Sequence, residues 1–434
     1  MVDFWVLQNG ARLVSEEIPH LRSVAIGIYV QVGSRDEDEE INGASHFIEH
    51  MLFKGTETRS AKDIAETFES IGGQLNAYTS KEYTCFYART LDEHLDIAAD
   101  ILMDMVFNSA FREKEVGTEK GVIIEEIGMY EDSPDELIHD VFAQVIWPNH
   151  SLGRPILGTR ETVSCLDRDL LTSFYRKYYI PSNMVIAVAG NVNNQRVRDK
   201  IEAYLQGRGS SRILRAKETP AAGTNKVKLI DKDTEQVQIC MGIPSISFLD
   251  EKRQVQNVMN SILGGGISSR LFQTIREEKG LAYSVYTYPS SYSDTGTYAI
   301  YVATGPDKVT DLFAVLTEEL EKFLAHGPTQ EEVTRAQNQI KANIYLGLES
   351  VMNRMNRLGK SVLFYDRIIP VGEIIDTVMA VTPAAIQEFI QGLASRQFSL
   401  AAIGSKNILP QVQHEFVKWG QAQLKFDMVR GDRP

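Results

Sequence analysis

The predicted elements of this chain run through one order before residue 206 and begin the same order again after residue 226. Ser23–Ser34 is rich in β-branched residues and ends at Gly33-Ser34, which predicts a strand. Residues 44–53 hold good helix formers without Gly or Pro, and a helix over Ala61–Ile71 is closed by Gly72-Gly73. Leu75–Thr90 reads as two strands joined near Ser80-Lys81-Glu82. Helices are expected over Leu91–Phe107 and Lys114–Tyr130, and Asn183–Val192 has the pattern of a buried strand stopped at Gly190.

Residues Gly207–Asn225 are rich in Gly, Ser, Thr and Pro and read as an interdomain linker. Beyond it, Gln236–Gly242 echoes the first strand and Arg253–Leu263 the first helix. Tyr283–Tyr288 and Gly296–Ala303 echo the hairpin, Val309–Leu324 the following helix, and Phe398–Gly404 the strand that ends at Gly190. Strands and helices in runs favour an α+β class. The expectation is two homologous domains, 1–206 and 226–434, each a largely antiparallel sheet with helices packed on one face. The second copy has no histidine pair where the first has one.

Composition narrows the function. A length of 434 residues suits two or three domains, and 43% hydrophobic with 24% charged residues is that of a globular protein. The net charge of −13 disfavours nucleic acid and anionic membrane as partners. Cys85, Cys165 and Cys240 are far apart and form no CxxC pair, against both a disulfide framework and a thiolate metal site. The first ten residues lack a basic flank before an apolar run, and no stretch reaches the length of a spanning helix. A cytoplasmic location is therefore expected.

The chemistry concentrates at His46-Phe47-Ile48-Glu49-His50. On a helix, His46 and His50 lie one turn apart on the same face and can share a cation through neutral imidazoles. Two histidines with one distant carboxylate leave an open position, the pattern of catalytic zinc. Glu49 lies beside that face, placed to act as a base towards a water that zinc acidifies. An ordinary alternative is two helix histidines flanking a salt-bridging Glu.

The motif is the inverted zinc motif of the inverzincins, and its surroundings resemble the pitrilysin (M16) family, in its shorter branch of bacterial and mitochondrial processing peptidases. That family takes its third ligand from a Glu about 76 residues downstream, with an acid seven residues before it. The resemblance therefore implies Glu126 as ligand, with Glu125 as its neighbour and competitor, and Glu119 orienting a ligand histidine. Gly72-Gly-Gln-Leu-Asn76-Ala77 is similar to the family's substrate-lining strand, so Asn76 and Ala77 are expected to hold peptide as an added strand. Arg276 and Tyr283 match its Arg/Tyr element: Tyr283 would donate to the scissile carbonyl, and Arg276 would orient Tyr283 or grip the peptide. The implied protein is a zinc metalloendopeptidase acting on peptides or unfolded protein inside a closed chamber. Four such domains close the chamber, so a homodimer, or a heterodimer with a paralogue, is implied. The contrasting reading is a non-catalytic structural or adaptor subunit on the same fold.

Other features read as ordinary. Gly264-Gly265-Gly266 lacks the GK[ST] ending of a phosphate loop. His139 and His150 have no second histidine at helical spacing. The aromatic segment Tyr283–Tyr292 reads as sheet and pocket wall, and Cys85 as packing.

Overall fold

In the computed structural model of the chain, residues 1–209, 213, 220–223 and 225–430 are described; residues 210–212, 214–219 and 224 of the expected linker lie outside them. The chain forms two compact units, neither continuous in sequence. Unit 1 comprises Met1–Met129, Arg154–Ala216 and Ile344–Pro370, and unit 2 comprises Tyr130–Gly153, Lys217–Asn343 and Val371–Pro434. This differs from a division into 1–206 and 226–434, because each half gives one segment to the other half's unit.

Unit 1 is built on six strands: β1 (Val2–Val6), β2 (Arg12–Glu17), β3 (Ser23–Val30), β4 (Gln74–Thr79), β5 (Thr84–Leu91) and β6 (Met184–Gly190). Their order is β1-β2-β6-β3-β5-β4, with β2 and β6 parallel and every other pair antiparallel. The central strands β3 and β6 are apolar on both faces. Val24, Ile26, Ile28 and Val30 turn to one core while Ala25 and Tyr29 turn to another.

Over the first face pack α1 (Ala44–Leu52), α2 (Ala61–Ser70), α3 (Leu95–Asn108) and α4 (Glu113–Glu131). The end of α2 is closed as its glycines suggest: the Gly72 and Gly73 amides donate to the Glu69 and Phe68 carbonyls. The helix expected from Leu91 starts at Leu95 instead. Leu91 is the last residue of β5, paired with Ser23, and Asp92–His94 form a 3-10 turn.

On the second face lies the helix Val351–Tyr365. Val351, Met355, Leu358 and Val362 recur at helical spacing and bury against Val14, Ala25, Tyr29, Cys85, Val185 and Ala187. Each such side chain contributes about 1.5–3 kcal/mol when fully buried. Gly359 permits the close approach, since a β-carbon there would overlap the Tyr29 ring. Tyr29 Oη donates to Asn356 Oδ1 at 2.6 Å.

Unit 2 repeats the plan with β7 (Val227–Asp231), β8 (Val237–Ser245), β9 (Ala282–Ser291), β10 (Gly296–Thr304) and β11 (Ser399–Gly404) in the order β7-β11-β8-β10-β9. This is the order β2-β6-β3-β5-β4 of unit 1, again with a single parallel pair, β7 and β11. Helices including Arg253–Leu263, Val309–His326 and Pro383–Ala394 share its principal core. Its other face is covered by α5 (Pro134–Ile146), through Ile138, Val141, Phe142 and Val145 against Cys240, Ala299, Tyr301 and Ile403. The α+β repeat holds, and each sheet gains one helix on the face that the sequence left bare. Among the described residues, no helix is long and apolar enough to cross a membrane.

Candidate metal centre

Helix α1 buries Phe47, Ile48, Met51 and Leu52 in the unit 1 core. Those positions leave His46, Glu49 and His50 turned to α4 and to the end of β4. Helix α4 buries Val116, Glu119, Ile123 and Ile127, an apolar stripe at helical spacing interrupted by one acid. Glu126 is two turns from Glu119 on the same side, and the more exposed Glu125 stands outside the cluster.

The two imidazoles meet edge to face with ring centroids 4.5 Å apart. Glu126 spans them: His46 Nε2 lies 3.8 Å from its Oε1 and His50 Nε2 lies 3.5 Å from its Oε2. Three ligands about 2.1 Å from one tetrahedral zinc stand ~3.4 Å from one another, so these separations fit a shared ion. His46, His50 and Glu126 are the one group of potential metal-binding side chains brought together among the described residues.

The histidines are held differently. His50 Nδ1 meets Glu119 Oε1 at 2.8 Å, which leaves Nε2 free to face the cluster. Glu119 is buried, and its other oxygen is paired with Lys54 Nζ at 2.7 Å. Lys54 was not singled out in the sequence, where a lone Lys after a helix carries no signal. The His46 ring is set by packing instead: its Nδ1 is buried without a hydrogen-bond partner among the described residues. Burial, with the neighbouring charge of His50, pushes His46 down to about 3, so it is neutral at pH 7, the form a metal takes.

Glu49 is half-buried, and burial raises its carboxyl above the ordinary value against the opposing effects of Thr79 and His50. Thr79 Oγ1 donates to Glu49 Oε2 at 2.5 Å. Thr79 ends β4, the edge strand carrying Asn76 and Ala77, so Glu49 and that strand are joined directly. The Ala77 amide donates to Asn76 Oδ1 at 2.8 Å.

Arg276 and Tyr283 come together in unit 2. Arg276 stands on a seven-residue π-helical turn, Phe272–Glu278, with its guanidinium 4.5 Å from the centre of the Tyr283 ring and 4.7 Å from that of Phe272. Tyr283 is 71% exposed near the start of β9. The remaining candidates are structural. His139 is held between the Tyr286 and Tyr288 hydroxyls, His150 Nδ1 accepts the Leu152 amide, and burial pushes the Cys85 thiol up to about 12.

Two imidazoles and a carboxylate, with a second carboxylate alongside, fit the donor set of a hydrolytic metal site. Residues 12–160 match the family described as Insulinase (Peptidase family M16), and residues 166–340 match the Peptidase M16 inactive domain. An uncharacterized zinc protease of Streptomyces coelicolor is 42% identical over 92% of this chain and 88% of its own length. An uncharacterized zinc protease of Bacillus subtilis, YmxG, is 43% identical over 94% of this chain and all of its own. The chain belongs to peptidase family M16. The same fold is found in the crystal structure of a peptidase M16 inactive domain from Pseudomonas fluorescens (TM-score 0.86, 19% identity, 94% of this chain and 98% of that one). It is found also in a protease from Helicobacter pylori (TM-score 0.85, 18% identity, 93% and 99%).

Proposed function

We propose that the chain is a zinc metalloendopeptidase in which His46, His50 and Glu126 hold Zn2+ and Glu49 transfers protons. The observation that carries this reading is the 3.5 and 3.8 Å approach of Glu126 to two imidazole Nε2 atoms, with a carboxylate from the same helix turn alongside. Zinc held there supplies a Lewis acid that makes water acidic near neutral pH. Glu49 takes a proton from the attacking water and delivers it to the leaving amine. Glu119 holds His50 in the tautomer that presents Nε2.

Peptide or unfolded protein is the substrate class this reading takes. β4 ends the unit 1 sheet and, among the described residues, has no strand on its outer side, so an extended peptide can add there by main-chain hydrogen bonds, with Asn76 and Ala77 beside it. Tyr283 donates to the carbonyl oxygen as charge develops, and Arg276 holds its ring. Two copies of the chain, or one copy and a paralogue, complete the chamber. A purely structural role is disfavoured because every ligand position retains a metal-binding side chain.

The test is digestion of a quenched library of peptides ten to thirty residues long by the zinc-loaded protein, with and without chelator. Cleavage that chelator abolishes and zinc restores is expected, with Glu49→Gln keeping zinc and losing cleavage. A zinc-loaded protein that cleaves no peptide would overturn the reading.

A further inference from the structure

We propose that Glu37 is a positioning residue for the metal helix: its buried carboxylate grips the amides that begin α1 and so fixes where His46 stands. The inference rests on the reading of α1 as the zinc-binding helix and adds a residue outside the motif.

Helix α1 has only nine residues, and its N-cap is Gly43 in the left-handed region, φ +99°. The first amides of any helix lack partners within it, and a Ser or Asp at the cap ordinarily supplies one. That solution is closed here, since a β-carbon at residue 43 would meet the Leu157 carbonyl oxygen at 2.8 Å. The partner comes from six residues upstream. Glu37 Oε1 accepts the Ser45 amide at 2.7 Å, and Oε2 accepts the Gly43 amide at 2.8 Å and Asn42 Nδ2 at 2.9 Å. The main chain of Glu37 is itself anchored, its carbonyl accepting from the Arg154 guanidinium. The residue is 3% exposed. A negative charge there also suits the positive end of the helix dipole.

His46 is the third residue of α1, one position after the gripped Ser45 amide. Phe47, Ile48, Met51 and Leu52 decide which side of α1 faces the core, but apolar contact is non-directional and leaves rotation and sliding loosely determined. A site shared by two imidazoles and a carboxylate tolerates only about 0.5 Å of misplacement. The two charge-assisted hydrogen bonds to the Gly43 and Ser45 amides supply the directional restraint. His46 needs it most, since its ring has no outer hydrogen-bond partner among the described residues, whereas His50 has Glu119.

Glu37→Gln keeps the volume but turns an NH2 group towards donors. Zinc affinity would be measured on folded full-length protein by competition with a chromophoric chelator, well below the unfolding transition of each variant. The Co2+-loaded absorption spectrum gives a second readout. Expected is a loss of zinc affinity of at least about 10-fold, the low end for groups that orient ligands, with altered Co2+ bands and retained cooperative unfolding. A merely structural role would lower the melting temperature and leave the folded protein's zinc affinity and Co2+ spectrum unchanged, which overturns the inference. If Glu37→Gln does not fold, Glu37→Asp decides: weakened zinc binding supports the inference, and wild-type affinity overturns it. Wild-type protein that takes up no zinc would sink the metal reading and this inference with it. Wild-type uptake matched by Glu37→Gln would sink this inference alone.

Discussion

Thr79 Oγ1 lies 2.5 Å from Glu49 Oε2, so the last residue of an edge strand holds one oxygen of the carboxylate that stands between two histidines on α1. Glu49 is thereby aimed by the strand that carries Asn76 and Ala77, and not by its own helix alone.

Replacing Thr79 by Val removes that donor with little change of shape. A hydrogen bond to a charged group is worth about 1.5–3 kcal/mol, so kcat for a peptide substrate should fall roughly 10-fold or more. Zinc content and KM should stay near wild type, and Thr79→Ser should recover most of the loss. Steady-state kinetics with all three proteins decide the matter; an unchanged kcat in Thr79→Val removes the Thr79 hydroxyl from any part in aiming Glu49.

The His50–Glu119–Lys54 chain makes a prediction about metal rather than turnover. Glu119→Gln should weaken zinc binding by about 10–100-fold, the usual scale for partners of ligating histidines. Lys54→Met leaves Glu119 buried without its ion partner and should weaken binding by roughly 10-fold. Chelator competition measures both. Wild-type affinity in Lys54→Met would show that Glu119 holds His50 unaided.

Tyr283→Phe deletes a hydroxyl and keeps the ring under Arg276. If that hydroxyl meets the developing oxyanion, kcat should fall by about 10²-fold with KM, zinc content and melting temperature nearly unchanged. Arg276→Ala should damage both kinetic constants. Wild-type turnover by Tyr283→Phe, under conditions where chemistry limits, would make Tyr283 a packing residue.

A stability prediction follows from Gly359. An alanine there overlaps aromatic carbons of Tyr29 that are themselves packed on all sides, so neither partner yields easily. Overpacking of this kind costs about 1–3 kcal/mol. Calorimetry should show a lower melting temperature, while zinc affinity at low temperature is retained. A melting temperature equal to wild type would mean that the helix Val351–Tyr365 can shift on its sheet.

Acid sensitivity should be traceable to Glu332. Burial raises its carboxyl, but the bidentate Arg270 guanidinium (both contacts 2.7 Å) and the Thr329 amide outweigh burial and bring it from 4.5 down to about 2. A group depressed in the folded state gives stability that is complete above its unfolded value and is lost as pH falls through the folded one. The contribution is therefore whole above pH 4.5 and disappears towards pH 2. Glu332→Gln should melt lower at neutral pH and lose less stability than wild type between those limits. Parallel melting curves across that range would show the pair to be silent.

Much of this architecture could be read from residues. The run Ser23–Ser34 announces a strand and Asn183–Val192 a buried one, and His46 and His50 share a helix face by spacing alone. What escaped reading has physical reasons. Val351, Met355, Leu358 and Val362 show that a helix has an apolar side, but periodicity does not say which sheet receives it. The helix predicted from Leu91 began late because Leu91 is a strong helix former whose strand pairing with Ser23 is non-local. Thr79, Lys54 and Glu37 are single polar residues in a strand end, a turn and a loop, where no period marks them. Only Glu37 left a trace: the helix start at Gly43-Ala44 has no capping side chain, which points to a partner from elsewhere.

The exchange of segments between the units also governs when the molecule can mature during synthesis. Ala25, Tyr29, Cys85 and Val185 are all made within the first 190 residues, yet the helix that shelters them ends at Tyr365. In the opposite direction, α5 leaves the ribosome long before Cys240, Tyr301 and Ile403 exist to receive it. Neither unit can finish as its own half emerges, so nascent chains carry bare apolar faces through most of elongation, and the two halves reach completion together near the end. A gene split after residue 206 would accordingly yield two polypeptides that require each other from the ribosome onward, and neither should be recoverable alone as a stable domain.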